Sequence, residues 1–336
     1  MDKLHEYEVF DSDYSEEISD GIVEEAISRF VSLSSAFIIR YIIRPYSAWS
    51  SQTYEGNRIS HSIGILGPSK SKKDRTESNI FAFNQEDFLK IIGSSHDSIL
   101  AVDRNGNILA VENLNMQNDD DVARQMQAPI SMAHLARWTH GGKIALTVTR
   151  SGEILLFKDR TLCFAKRRGS WRYFPHDLIT KKMFRSGEHD ETSMKLRKAM
   201  YLTALDTAFN RSGACLGLIK NTVDMSALKC LPQSCLLEAR RSKCSLFLAS
   251  IISGKKFYNL SRTIRAELCA LDGATILASD GTIIAAGAIL KTGGNSEGGG
   301  GRSAAAKALS KYGLGIKVSN DGYITIKVNR KQFSFA

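Results

Sequence analysis

The chain has 336 residues, 43% hydrophobic and 24% charged, a balance that suits a folded globular protein of two or three domains. It carries a net charge of +10, which favours anionic partners without choosing among nucleotides, nucleic acids and acidic proteins. The composition excludes an obvious transmembrane span: the apolar run Ala36 to Ile43 is broken by Arg40 and stops at Arg44-Pro45, short of the ~20 residues a span needs. No membrane partner is expected. Met1 to Asp20 is acidic and polar, unlike a secretory signal. The six cysteines (Cys163, Cys215, Cys230, Cys235, Cys244 and Cys269) form no Cys-x-x-Cys pair and read as buried reduced thiols, so a cytoplasmic location is expected.

In chain order, residues 1–20 read as a poorly ordered acidic lead. Ile22 to Ile43 reads as a helix, with Ile22, Ala26, Phe30 and Leu33 at helical spacing and Pro45 as its stop. Residues 66–79 are a polar loop. A β-rich stretch then begins, with Ser98–Val102 and Asn107–Glu112 flanking the hairpin turn Arg104-Asn105-Gly106. A helix is predicted over Pro129–Trp138, and strands over Lys143–Thr149, Glu153–Lys158, Thr161–Ala165 and Trp171–Phe174. The charged region 176–195 is the main boundary. Beyond it, helices are predicted at Ser193–Asn210, Ser226–Arg241 and Leu260–Cys269, with strands at Ala214–Lys220 and Cys244–Ile252. Alternating helices and apolar strands argue for an α/β C-terminal domain, a mixed sheet flanked by helices. The expected division is an N-terminal segment 1–90, a β-rich α+β domain 91–190 and an α/β domain 191–336.

The two later regions can be laid over one another. Asp97 precedes Gly106 by nine residues and Asp272 precedes Gly281 by nine. Each copy continues through a loop, a helix and a strand pair, around Ser151-Gly152-Glu153-Ile154 or Asp321-Gly322-Tyr323-Ile324. Either two hairpins share an Asx-Gly turn by chance, or the β-rich domain is a diverged repeat of the C-terminal one. The first copy has Ser98-Ile99 where the second has Gly273-Ala274, and it lacks a glycine-rich loop.

The chemistry concentrates in the second copy. Leu271-Asp272-Gly273-Ala274 is an acidic-Gly-small turn of the kind that can hold a ribose or a metal ion. Gly298-Gly299-Gly300-Gly301-Arg302-Ser303 is a glycine-rich loop running into an Ala-rich helix, where backbone amides can cradle phosphates. With Leu271 to Gly287, the Ser303–Tyr312 helix and Ile316 to Ile324, this order resembles the nucleotide-binding domain of diadenylate cyclases (DAC, the DisA N-terminal type). The resemblance covers about 195–336 and weakens upstream of 240.

It implies an adenine-nucleotide or cyclic-dinucleotide site at Asp272, Gly273, Ala274, Gly300, Gly301, Arg302 and Ser303. Asp272 would be the metal-placing residue for Mg²⁺ or Mn²⁺, and the catalytic one if the domain is active. The family's second signature, Arg-His-Arg, is here Gly301-Arg302-Ser303, and no histidine follows His189. Joining two ATP molecules needs cations on the developing phosphate charge, and losing such a clamp costs on the order of 10²–10⁵ in rate. The expected function is therefore a degenerate, sensor-like nucleotide-binding protein in bacterial signalling or phage defence. The alternative is an active cyclase making cyclic di-AMP. The resemblance also implies self-association, since active domains of this type meet face to face.

A rival lies in Lys166-Arg167-Arg168-Gly169-Ser170-Trp171-Arg172, where cations and aromatics interleave as nucleic-acid binding requires. Its bland reading is an edge hairpin with buried aromatics. His134 and His140 read as structural, and Asn118 to Asp121 as a solvated acidic loop.

Overall fold

The computed structural model describes residues 16–67, 97–114, 126–184, 190–220, 237, 243–252, 254–290, 300–328 and 331–335. They form two compact units: the first holds 1–114, 138–159 and 163–173, the second 115–137, 160–162 and 174–336. The N-terminal helices thus share a unit with the sheet that the sequence reading starts at residue 91. The reason is one strand, His61–Ile65, which pairs inside that sheet. The first sheet ends at Tyr173, before the charged region, whereas 126–137 cluster with the second unit.

In the first unit, α1 (Glu16–Val31) and α2 (Ala36–Trp49) cover a seven-stranded sheet. Its strands are β3 (His61–Ile65), β4 (Ser98–Val102), β5 (Ile108–Asn113), β6 (Ile144–Val148), β7 (Ile154–Lys158), β8 (Thr161–Arg167) and β9 (Ser170–Tyr173), in spatial order β5-β4-β3-β6-β7-β8-β9. A separate hairpin, β1 (Thr53–Tyr54) with β2 (Asn57–Arg58), precedes them. The single helix expected over 22–43 is two helices. Ser32 is extended and its hydroxyl lies 3.2 Å from that of Ser34, local bonding that competes with the helix ladder. Pro45 does not stop α2 but sits inside it. Tyr46 and Trp49 beyond it are fully buried, and the Tyr46 hydroxyl meets His61 Nδ1 at 2.7 Å. Two such burials, at about 1.5–3 kcal/mol each, offset the roughly 3 kcal/mol an internal proline costs.

The second unit repeats the first sheet. Its strands are β10 (Ala214–Ile219), β11 (Ala274–Ala278), β12 (Ile283–Ala288), β13 (Gly313–Val318), β14 (Ile324–Val328) and β15 (Lys331–Phe335), in order β12-β11-β10-β13-β14-β15. The parallel pair reads Ile63↔Leu100 in one sheet and Leu216↔Thr275 in the other. The central antiparallel pair reads His61↔Val148 and Ala214↔Val318, and the next hairpin Val148↔Ile154 and Val318↔Ile324. Each edge hairpin has a register shift at the same place, between Ala101 and Val102 and between Ile276 and Leu277. The β-rich region therefore repeats the strand order and register of the C-terminal sheet, the shared Asx-Gly turn included.

Helices complete the second unit: α3 (Ala133–Trp138, most of it in this unit), α4 (His176–Lys182), α5 (Glu191–Phe209), α6 (Lys243–Ile252), α7 (Arg262–Ala270) and α8 (Gly301–Ser310). The run 244–252, expected as a strand, is helix α6; an unbroken apolar run has no period to tell the two apart, and ten residues suit a helix. The expected helix at 226–241 lies outside the described residues.

The unit is tied internally by a buried ion pair. Arg262 Nε donates to Asp206 Oδ2 at 2.9 Å and Nη2 to Oδ1 at 2.5 Å, while Nη1 and Nη2 reach the carbonyls of Met126 and Ala128. The Ile130 amide donates to the same carboxylate. Burial pushes the Asp206 carboxyl up from its usual range, and the Arg262 charge opposes that. A second buried polar group is His176, whose Nε2 meets the Leu162 carbonyl at 2.7 Å and whose Nδ1 meets the Tyr201 hydroxyl at 2.6 Å. The carbonyl requires a proton on Nε2, so Nδ1 is the acceptor.

Two outcomes follow from this packing. Gly315 leaves only 2.0 Å between a built Cβ and the Ala306 carbonyl oxygen, whereas Gly300 has nothing within 4 Å. Gly315→Ala should lower stability by about 3 kcal/mol and Gly300→Ala by under ~0.5 kcal/mol in denaturant titrations. Burial lowers His176 to about 4, below its unfolded value of roughly 6.5. Between those values the unfolded chain binds a proton that the folded one does not, so stability is full above pH ~6.5 and falls as pH drops toward 4. Moving from pH 7 to 5 should cost about 2 kcal/mol through this group, and His176→Gln should remove that part of the slope.

Candidate functional site

The sequence-predicted site gathers at one end of the second sheet. Strands β10 and β11 run parallel with Leu216 opposite Thr275, so Gly213, just before β10, and Asp272, just before β11, lie at the same end of the sheet. Helix α8 packs on the same sheet through Ala305, Ala306 and Leu309, against Cys215, Ile219, Ala274 and Ile276. Its first turn carries Arg302. The Arg302 guanidinium lies against Gly213: a Cβ built there would sit 2.7 Å from Nη1 and 3.0 Å from Cζ. Arg302 Nη1 donates to Asn320 Oδ1 at 2.9 Å, on the turn between β13 and β14. Asp272, Arg302 and the N-terminus of α8 thus share one end of neighbouring elements.

The Asp-Gly-Ala residues play three different parts. Asp272 is exposed, and among the described residues its carboxylate accepts no hydrogen bond and faces no cation. Gly273 adopts φ +111°, and a Cβ on it would fall 2.5 Å from the Gly287 carbonyl carbon. Its identity is dictated by close backbone approach to the edge strand. Ala274 is completely buried and presents no surface to a ligand.

In the glycine loop, Gly298 and Gly299 lie outside the described residues. Gly300 is the cap of α8 without a side-chain bond, and its carbonyl accepts from the amides of Ser303 and Ala304. The Gly301 and Arg302 amides precede the first intrahelical bonds and head the helix, where a positive partial charge collects. Gly301 is exposed and Ser303 half-buried.

Among the described residues no group of three His, Cys, Asp or Glu side chains could hold a metal ion. Asp272 offers one carboxylate, which does not make a cation site by itself. Cys163, Cys215 and Cys269 are not in disulfides; burial pushes Cys215 and Cys269 up to about 12 and Cys163 to about 11, which makes them poor nucleophiles. His134 is half-buried in α3 and His140 exposed beyond it. The acidic loop 118–121 lies outside the described residues.

The basic hairpin is β8–β9. Lys166 Nζ pairs with Asp20 at 2.7 Å, and Arg167 Nε pairs with Glu153 at 2.8 Å with both side chains buried. Trp171 packs against the first unit's core, and Tyr173 stands edge-on to Phe30. Arg168 is exposed at the turn and Arg172 half-exposed. Lys166, Arg167 and Trp171, singled out for nucleic acid, are thus engaged within the fold.

Sequence reasoning missed Gly213 and Asn320 as partners of Arg302. Asn320 reads as an ordinary turn residue before Asp321-Gly322, and nothing in the chain signals a bond to a residue 18 positions earlier.

No protein-family model matches the chain, and no curated protein does. Among solved structures it is similar to a double mutant of DacA from Staphylococcus aureus, at 19% identity over 44% of this chain and 90% of that one, with a TM-score of 0.30. It is also similar to a hypothetical membrane spanning protein from Bacillus cereus, at 15% identity over 43% and 70%, again with a TM-score of 0.30. Strand order and register, rather than these likenesses, define the fold described above. No helix among the described residues is long and apolar enough to cross a membrane.

The contrast between neighbours is testable. Asp272→Asn changes an exposed, unbonded group and should shift stability by under ~0.5 kcal/mol. Gly273→Ala meets backbone on a positive φ and should cost about 2 kcal/mol or more. Thermal unfolding of the two variants reads this directly.

Proposed function

We propose that the second unit binds an adenine nucleotide or cyclic dinucleotide, acting as a ligand sensor in bacterial signalling or phage defence. The observation that supports the reading is that the Arg302 guanidinium lies against Gly213, just before β10, at the same end of the sheet as the exposed Asp272, just before the parallel strand β11. The Gly301 and Arg302 amides and the guanidinium address phosphate, the first by the helix end and the second by its planar fork. Asp272 stands where a ribose hydroxyl or a phosphate-borne divalent ion could be met. Mg²⁺ or Mn²⁺, where it takes part, arrives with the polyphosphate, because the protein supplies one carboxylate and Mg²⁺ is commonly held by one or two carboxylates plus substrate phosphates.

The sensor reading is favoured over the cyclase reading by charge. Two triphosphates brought together for phosphoryl transfer need several cations on the developing charge, and the described part of this loop offers Arg302 alone. Binding needs less than catalysis, since a helix terminus and one arginine can hold a phosphate without lowering a barrier.

The test is calorimetric titration of ATP and cyclic di-AMP into the full chain, with mass analysis of ATP incubated with Mg²⁺ or Mn²⁺. Saturable binding weakened about tenfold or more in Asp272→Asn and Arg302→Ala, without turnover, is the expected result. Cyclic di-AMP formation that disappears in Asp272→Asn would make this an enzyme instead. Absence of any binding would remove the nucleotide reading.

A further inference from the structure

The environment of Arg302 is unusual in three respects. The side chain places a cation in the first turn of α8, the end of a helix that disfavours positive charge. Its hydrogen-bond partner is the neutral amide of Asn320, and among the described residues no carboxylate lies within ion-pairing distance. The guanidinium is also wedged over Gly213, where any other residue's Cβ would fall 2.2 Å from Asn320 Oδ1 and 2.7 Å from Arg302 Nη1. Gly213 itself holds φ +63°, a conformation that again favours glycine.

Orientation without neutralisation is the common thread. An Asp or Glu in place of Asn320 would hold the same guanidinium and stabilise it more, at the expense of cancelling its charge. An amide oxygen accepts one N–H bond and leaves the full positive charge, and the remaining N–H donors, for another group. Resting on the nucleotide-binding reading, we propose that Asn320 is a positioning residue: it aims Arg302, which has no carboxylate partner among the described residues, at a phosphate group of the ligand, in a cradle that Gly213 keeps open. The corresponding positions of the first unit follow from the shared register: Gly213 matches Ser60 and Asn320 matches Arg150. Among the described residues the first unit thus keeps the sheet but not the Gly213 and Asn320 positions of the cradle.

The experiment compares ATP with adenosine as titrants of the full chain, using wild type, Asn320→Ala, Asn320→Asp and Gly213→Ala, with thermal unfolding of each. A positioning role predicts that Asn320→Ala weakens ATP about tenfold and leaves adenosine unchanged, while the melting temperature stays near that of wild type. Asn320→Asp should weaken ATP further, because the new carboxylate competes with phosphate for the guanidinium. A merely structural role would move adenosine and ATP together. Gly213→Ala is the harsher variant, and the two Asn320 changes decide the matter if it fails to fold. If wild type binds ATP through Asp272 and Arg302 but the ratio of ATP to adenosine affinity is the same in both Asn320 variants, the positioning role is wrong and the nucleotide reading survives. If wild type binds no ATP, both fall.

Discussion

Helix α8 lies on strands β10 and β13 closer than side chains allow, and the candidate site depends on that closeness. Gly315 has no room for a Cβ against the Ala306 carbonyl, and Gly217 has none against the Leu309 methyls. Alanines fill the helix side of the contact, with Ala306 completely buried and Ala305 nearly so. Interiors pack at near-crystalline density, so a helix seated this way has little freedom to slide. Its first turn is thereby fixed at the sheet end where Gly213 and Asp272 stand, and the Arg302 guanidinium reaches the β13–β14 turn. Larger residues at any of these small positions would lift the helix and carry Arg302 away from its neighbours.

The opposite flank of the unit is set by charge. Arg262 begins α7, the helix that runs directly into Leu271 and Asp272, and its guanidinium is spent on Asp206 and on the carbonyls of 126 and 128. Removing one partner of a buried pair leaves the other uncompensated, which typically costs 3–5 kcal/mol, so this contact is a registry device as much as a source of stability. The unit is therefore held by two contacts of different kinds, the small-residue packing of α8 on β10 and β13 and a buried ion pair at the start of α7.

Much of this was legible in the sequence. The turns Asn105-Gly106, Ser151-Gly152, Asp280-Gly281 and Asp321-Gly322 located the hairpins, because such turns need a residue that tolerates positive φ. The same spacing exposed the repeat, and the shared bulge and register show why it could be seen. What escaped had physical reasons. Strand β3, with His61 and Ser62 buried beside Ile63, carries no alternation, and its pairing partners lie far along the chain. Pro45 reads as a stop unless the burial of Tyr46 and Trp49 is known. Of the site, Asp272 and Arg302 were visible as residue types in order. Gly273 was visible too, but its cause, the backbone of Gly287 across the strand pair, is tertiary. The Gly213–Arg302–Asn320 contact joins three elements and has no local signature at all.

The central claim is that a nucleotide sits where Asp272, Arg302 and the head of α8 converge. Amide hydrogen exchange of the full chain with and without saturating ATP tests it most directly. The account predicts added protection confined to residues 271–274, 300–304 and the 319–322 turn. Protection that instead falls on the 166–172 hairpin, or that is absent from all three segments at saturation, would contradict it.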